Sequence, residues 1–159
     1  MKKIIIASAA ALILSTPAVA ADFDGPRLGA TIGLADRDFG GDDAFTYGVN
    51  AGYDANLGGA VVGGTVEYQE SGADGFGRDL SVVGRVGTQV SNKALFYGVA
   101  GYTNFNVEGT DVDLDGYRLG LGLEVATDSK VYGQVEYRYS NYEYDVEGHQ
   151  FVLGLGYRF

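Results

Sequence analysis

Apolar residues recur at every second position along most of the chain from Arg27 onward. The clearest stretch is Leu114–Ala126, with the sequence LDGYRLGLGLEVA, in which aromatic and aliphatic residues alternate with charged residues and glycine from Tyr117 onward. A period of two places successive side chains on opposite faces of a β-strand, whereas an amphipathic helix needs a spacing of three to four residues. No helix-length window has that spacing, so the sequence predicts an all-β fold.

The alternation predicts eight strands. Their bounds are Arg27–Asp36, Phe45–Asp54, Ala60–Glu70, Asp79–Val90, Leu95–Val107, Leu114–Ala126, Val131–Tyr142 and His149–Phe159. Segments of roughly 10 to 13 residues exceed the usual soluble strand and match the length that a tilted strand needs to cross a bilayer. The fifth segment carries aromatic residues on both faces, so its facing stays open.

The connections between the segments are of two kinds. Short turn-like links occur at Ala55–Gly59, Ser91–Ala94 and Thr127–Lys130. Longer acidic links occur at Arg37–Ala44, Ser71–Arg78, Glu108–Asp113 and Glu143–Gly148. Short and long links that alternate around an even number of strands are typical of an up-and-down membrane barrel, with short periplasmic turns and longer outer loops.

The first twenty residues have the organisation of a secretory signal peptide. Lys2 and Lys3 form a positive start, Ile4–Leu14 is an apolar run, and Ala18–Ala20 supplies a small-residue cleavage pattern. The run is too short to cross a bilayer as a helix, so cleavage is favoured over an uncleaved anchor. We therefore expect a signal peptide at residues 1–20 and one barrel domain at residues 21–159.

The less apolar face of the segments decides which side of the wall meets lipid. Its charged residues are Glu67, Arg85, Arg118, Glu124, Glu136, Arg138 and Arg158. Four positive and three negative charges nearly cancel, as a narrow enclosed space requires, because a buried charge without a partner is costly. We therefore expect an eight-stranded antiparallel up-and-down transmembrane β-barrel with these seven residues as interior ion pairs. The opposite face, which includes Leu119, Leu121, Leu153 and Leu155, is expected to contact lipid.

Charge and cysteine content exclude two classes of function. Beyond residue 20, nine lysine and arginine residues stand against 21 aspartate and glutamate residues. Nucleic-acid phosphates need a basic surface, so no nucleic-acid partner is expected. The chain has no cysteine, which excludes a disulfide-stapled fold and thiol chemistry.

The last predicted strand contains FVLGLGYRF at Phe151–Phe159 and ends on phenylalanine. With the export signal and the eight segments, the chain resembles the small outer-membrane β-barrel family that includes the membrane domain of outer-membrane protein A and the opacity-type proteins. In that family a C-terminal aromatic strand is recognised by the barrel-assembly machinery, which implies that role for Tyr157 and Phe159. We expect a monomer in the outer-membrane lipid of a Gram-negative bacterium, with both chain ends in the periplasm.

Two motifs that suggest chemistry do not complete a site. Asp111–Gly116 matches the opening of a calcium-binding loop, but the twelfth position is Gly122 instead of a bidentate glutamate. A solvated acidic loop is therefore favoured, with weak binding of divalent cations left open. His149 is the sole histidine, and Ser140 on the preceding strand has no clear acidic partner. Glu124 and Glu136 are interpreted as members of structural ion pairs.

These observations favour an outer-membrane barrel with a polar, plugged interior and a structural or surface-interaction role. We expect no catalytic residues, no metal site and no cofactor, and hence no enzyme. A narrow porin-like channel for small solutes and a surface adhesin stay open as alternatives.

Overall fold

Eight antiparallel strands make up almost all of the chain that the structure, a computed structural model, describes, which is residues 23–37, 44–72, 77–106, 113–143 and 146–159. The strands are β1 (Gly25–Arg37), β2 (Ala44–Asn56), β3 (Ala60–Ser71), β4 (Asp79–Ser91), β5 (Ala94–Asn106), β6 (Asp113–Ala126), β7 (Val131–Tyr142) and β8 (Val146–Arg158). No helix in these ranges is long and apolar enough to cross a membrane. The predicted signal peptide and the start of the calcium-like motif, Asp111 and Val112, lie outside the described residues.

The sheet closes on itself. Each strand pairs with the next, and β8 pairs with β1 from Arg158 opposite Arg27 to Gly148 opposite Arg37. Lipid offers no water to satisfy free N–H and C=O groups, which cost several kcal/mol each, so closure removes a penalty that an open edge would carry. The predicted eight-stranded up-and-down barrel is confirmed, with strand bounds within three residues of those expected.

One end of the barrel, here called the turn side, has the short connections 57–59, 92–93 and 127–130. In the first of them the Leu57 N–H donates to the Ala60 carbonyl at 2.7 Å, while Gly58 and Gly59 adopt φ values of 84° and 112° that strain other residues. The other end, the loop side, has the remaining connections. The last of these is shorter than predicted, because Val146 already pairs with Tyr142 and extends β8.

Side chains alternate between the lumen and the outer surface along every strand. On β6, Arg118 and Glu124 are buried, whereas Leu119 and Leu121 are 47% and 58% exposed. The facing of β5, which the sequence left open, follows from its pairing with β4 and β6. Tyr97 is buried in the interior, and Phe96, next along the strand, lies on the outer surface.

The outer surface is an almost continuous apolar band. It includes exposed leucine, valine and aromatic residues from all eight strands, with Leu153 and Leu155 near its centre on β8. A water-soluble protein rarely exposes a contiguous apolar area of this kind, which suits hydrocarbon instead.

The interior also contains an apolar cluster that runs from the turn side to the middle of the lumen, which was not predicted. Its members are Phe23, Val61, Val83, Leu95, Tyr97 and Val99. Phe23 precedes β1 and is fully buried. The barrel is therefore filled at this end by side chains from the wall and by a residue that lies before the first strand.

Leu121→Arg places a charge at the middle of the outer apolar band and should lower the free energy of unfolding by about 2 to 4 kcal/mol. The measurement is urea unfolding of barrel refolded into phospholipid vesicles. Leu57→Arg is the matched control, because Leu57 is similarly exposed but lies in a turn, where the expected loss is about 1 kcal/mol or less. Equal losses in the two variants would contradict the assignment of the lipid band.

Candidate functional site in the barrel interior

The inward positions bring charged residues from distant strands into contact. In the centre of the lumen, Arg138 on β7 binds Glu67 on β3 through two bonds, Nη1 to Oε1 at 2.7 Å and Nη2 to Oε2 at 2.8 Å. Arg138 Nε also donates to Glu136 on the same strand, and the Tyr97 hydroxyl donates to the other Glu136 oxygen at 2.8 Å. We call Glu67, Glu136 and Arg138 the central cluster. Bidentate guanidinium–carboxylate pairing of this kind is strong and fixes geometry.

A second group, the turn-side cluster, lies between the central cluster and the turns. Its members are Arg27, Asp54, Arg85, Glu124 and Arg158. Asp54 Oδ2 lies 3.1 Å from Arg27 Nε and 3.0 Å from Arg158 Nη2. Glu124 bridges Arg85 and Arg158 with two contacts of 2.8 Å. The two carboxylates therefore tie together strands β1, β2, β4, β6 and β8.

A third group, the loop-side cluster, is built on Arg118 and Asp79. Arg118 Nη2 donates to Asp79 Oδ2 at 2.8 Å, and Arg118 donates further to the Ser81 and Ser140 hydroxyls. The Tyr142 hydroxyl donates to the same Asp79 oxygen at 2.7 Å. Arg118 and Asp79 therefore neutralise each other's charge, and neighbouring hydroxyl groups form hydrogen bonds with both.

The buried charges in the described interior balance. Five arginines face five carboxylates, namely Arg27, Arg85, Arg118, Arg138 and Arg158 with Asp54, Glu67, Asp79, Glu124 and Glu136. All seven residues singled out from the sequence lie in the lumen. Arg27, Asp54 and Asp79 were missed, because each of them was taken as the end of a predicted segment. Extending the period-two count from Gly29, Gly52 and Ser81 would have placed them on the inner face.

Aromatic rings complete the turn side of the lumen. The Arg85 guanidinium lies 4.0 Å from the centre of the Tyr97 ring, and that of Arg158 lies 5.7 Å from the Phe23 ring. Glycine makes room for these rings, because a Cβ atom at Gly122 would overlap the Tyr97 ring. Cation–π contacts of this kind are favourable, particularly away from water.

Little free space remains between these clusters. A cavity of about 20 Å³ lies between the turn-side and central clusters, lined by Arg27, Arg85 and Arg138 among others. This volume holds about one water molecule. The interior is therefore packed with side chains along most of its length, as expected for a barrel of eight strands.

The histidine and serine considered for catalysis lie on opposite sides of the wall. Ser140 is buried and binds Arg118, whereas His149 faces outward and its Nδ1 lies 2.8 Å from the Tyr137 hydroxyl. These two residues therefore do not act as a pair. Among the described residues, no group of three or more histidine, aspartate or glutamate side chains is arranged to hold a metal ion.

A closed barrel with an apolar exterior and a charged, hydrogen-bonded interior is the architecture of proteins that span the outer membrane with strands. The amino-acid sequence supports this assignment, because residues 6–159 match the sequence model of the family described as the outer membrane protein beta-barrel domain. The chain belongs to this family, and it is an outer-membrane protein embedded in the lipid.

A relative of known location has clear sequence similarity. The 22 kDa outer membrane protein of Rhizobium leguminosarum bv. viciae is 33% identical over 135 residues, which cover 72% of this chain and 64% of that protein. This chain therefore spans somewhat less than two thirds of the relative.

Two solved structures share the fold. Ail, the attachment invasion locus protein of Yersinia pestis, superposes with a TM-score of 0.59 at 19% identity, over 86% of this chain and 97% of Ail. The outer membrane enzyme PagL superposes with a TM-score of 0.66 at 11% identity, over 84% of this chain and 99% of PagL. At such identities the likeness shows the fold alone.

The expectation that this chain is not an enzyme, which was drawn from the incomplete motifs in its sequence, is wrong. PagL is an outer membrane enzyme with the same barrel. A barrel is a scaffold, and activity depends on the particular residues placed on it, so membership of this fold does not exclude catalysis. The separation of Ser140 and His149 removes one candidate pair and carries no wider conclusion.

Tyr157 and Phe159, the predicted assembly signal, lie together on the outer surface of the turn side. Their ring centres are 5.1 Å apart in an edge-to-face arrangement. The backbone N–H of Phe159 donates to the Pro26 carbonyl at 3.0 Å, which extends the β1–β8 seam. Their recognition by the assembly machinery stays a prediction.

Arg138→Met removes the cation that two buried carboxylates share, and should lower the free energy of unfolding by about 3 to 5 kcal/mol. The control is Lys93→Met, which breaks the exposed pair between Lys93 and Asp128 and should cost about 1 kcal/mol or less. Both are measured by urea unfolding in lipid vesicles. A loss in Arg138→Met no larger than in the control would show that the central cluster does not stabilise the barrel.

Proposed function

We propose that this protein is a sealed barrel with a structural or surface-interaction role, and that its loop side presents the functional surface. The filled lumen is the observation that carries this proposal. Three clusters of ion pairs and the apolar cluster around Phe23 occupy the interior, and the cavity between the turn-side and central clusters holds about one water molecule.

The filled lumen favours a role at the cell surface over a role as a channel. A solute would have to displace arginine side chains that are bound on several sides, such as Arg138 with its bidentate Glu67 contact. Separating a buried ion pair leaves both charges poorly solvated, which is costly. At the turn side the solute would also have to pass the fully buried Phe23 ring.

A surface role leaves the partner to be identified. Ail has also been crystallised in complex with the heparin analogue sucrose octasulfate. This chain is acidic, with 21 aspartate and glutamate residues against 11 lysine and arginine residues. A polyanion would be repelled by that charge, so we do not extend binding of a heparin-like ligand to this protein.

Wild-type barrel reconstituted in planar bilayers should show no large, stable open state in single-channel recordings. The control is a triple variant, Glu67→Ala with Glu136→Ala and Arg138→Ala, which removes all three side chains of the central cluster. This variant should conduct more than wild type, because it widens the lumen at its centre. A large and stable conductance of the wild-type protein would overturn the sealed-barrel proposal.

The second part of the proposal is that Tyr157 and Phe159 are recognised by the barrel-assembly machinery. Phe159→Asp should slow the appearance of folded, heat-modifiable barrel in cells, measured by pulse-chase. The same change should have a modest effect on stability after refolding in detergent, at most about 1.5 to 3 kcal/mol, because the Phe159 ring is 58% exposed. Equal assembly rates for the two proteins would show that Phe159 is only a lipid-facing aromatic residue. Cleavage after residue 20, a monomeric state and periplasmic chain ends complete the proposal.

A further inference from the structure

One interior side chain, that of Phe23, does not belong to the wall of the barrel. Phe23 is fully buried, although β1 begins only at Gly25. Every other buried residue in the described part of the chain lies on one of the eight strands. Backbone pairing between strands therefore holds the rest of the described interior in place, but it does not hold the Phe23 ring.

The Phe23 ring lies where the turn-side mouth of the lumen has an apolar rim. Val61, Leu95 and Tyr132 are the second residues of β3, β5 and β7, and they are 0%, 0% and 1% exposed. Inward side chains so near the end of an uncovered barrel would face water, at a cost for apolar groups. Phe23 belongs to the same apolar cluster as Val61 and Leu95, so its ring separates this rim from water.

The three short turns extend the wall around this mouth. In each of them a backbone carbonyl accepts a hydrogen bond from the neighbouring strand, at 2.8 to 3.1 Å. The pairs are Gly59 with Gln89, Lys93 with Ala126, and Lys130 with Arg158. These bonds direct the turns along the strands, which leaves the cover of the mouth to the segment before β1.

Gly25 turns the chain from the lumen into the wall. Its φ of 94° lies in the left-handed region, which residues with a Cβ atom rarely adopt. Next to it, the Asp24 carboxylate accepts a hydrogen bond of 3.0 Å from the Asn56 backbone N–H at an exposed position. The Phe23 ring itself is held by burial and lies 5.7 Å from the Arg158 guanidinium. A glycine hinge and an exposed hydrogen bond therefore connect this ring to the wall.

We propose that Phe23, Asp24 and Gly25 form a hinged plug, which closes the turn-side mouth and leaves it reversibly while all eight strands stay paired. This inference rests on the proposed sealed barrel, and it divides the seal into two parts. The ion-pair clusters join residues of the wall, such as Arg138 and Glu67, so they block the centre of the lumen whether or not the plug is in place. Departure of the plug exposes the turn-side mouth alone.

The test measures access of a reagent to the mouth. The chain has no cysteine, so one introduced thiol reports on one place in the lumen. The reporter is Val61→Cys at the rim. The matched control is Val152→Cys, because Val152 is also 0% exposed but pairs with Glu136 of the central cluster. Barrel purified from outer membranes is treated in detergent micelles with a sulfonated methanethiosulfonate reagent, and mass spectrometry follows the labelling rate.

Phe23→Ala should make labelling of the Val61→Cys reporter about tenfold faster or more, because most of the burial energy of the ring is lost. Phe23→Leu keeps a large apolar side chain and should keep labelling near the wild-type rate. The Val152→Cys reporter should stay equally slow in the wild-type and Phe23→Ala backgrounds, since the ion-pair clusters still block the centre.

A second variant covers a failure to fold, which heat-modifiable mobility in gels reports. If Phe23→Ala does not fold, Asp24→Ala tests the same plug, because it removes the acceptor for the Asn56 N–H and leaves the ring intact. It should make labelling of the Val61→Cys reporter about threefold faster or more, the effect of one hydrogen bond.

An unchanged rate at Val61→Cys in the folded variant, or rapid labelling already in the wild-type background, would overturn the plug. Faster labelling of both reporters would do the same, since it would show that the ring supports the whole interior. Failure of the sealed-barrel proposal is read separately, from conductance of the wild-type protein in planar bilayers. A barrel that stays closed there but shows no change in labelling loses the plug and keeps the seal.

Discussion

Closure of the backbone hydrogen bonds is the constraint on which the rest of this structure depends. In hydrocarbon every strand must pair on both sides, so β8 must meet β1 in one register along the whole seam. That register fixes the height of every inward side chain. Arg138 on β7 reaches Glu67 on β3 across the lumen only because all the intervening pairings are fixed. The ion-pair clusters are thus a consequence of closure.

The fold was predictable because a period of two is a local property of the sequence. It identifies strands, assigns their two faces and leaves errors of a few residues at the ends, as at Val146, where pairing with Tyr142 extends β8. The facing of β5 could not be decided in this way, since both of its faces carry aromatic residues. Register with β4 and β6 decides it, and register depends on tertiary structure.

The candidate site was only partly predictable for the same reason. The period of two along a strand places Glu124 and Arg85 on the inner face, but it does not show that Glu124 bridges Arg85 and Arg158. The same period does not reveal Phe23, which is buried although it precedes the first strand. Nor does it show which buried polar atoms lack a hydrogen-bond partner, because that depends on where the neighbouring side chains lie in the folded barrel.

The two faces of the wall are under different constraints, and these constraints limit where residues can differ between barrels with different functions. The outer face has to remain apolar in lipid, and the lumen has to keep its charges matched, so both resist change. The loop side carries neither constraint in full. An enzyme and an attachment protein share this barrel with the present chain at 11% and 19% identity. Differences in activity between such proteins must therefore arise from the particular residues that a common barrel carries.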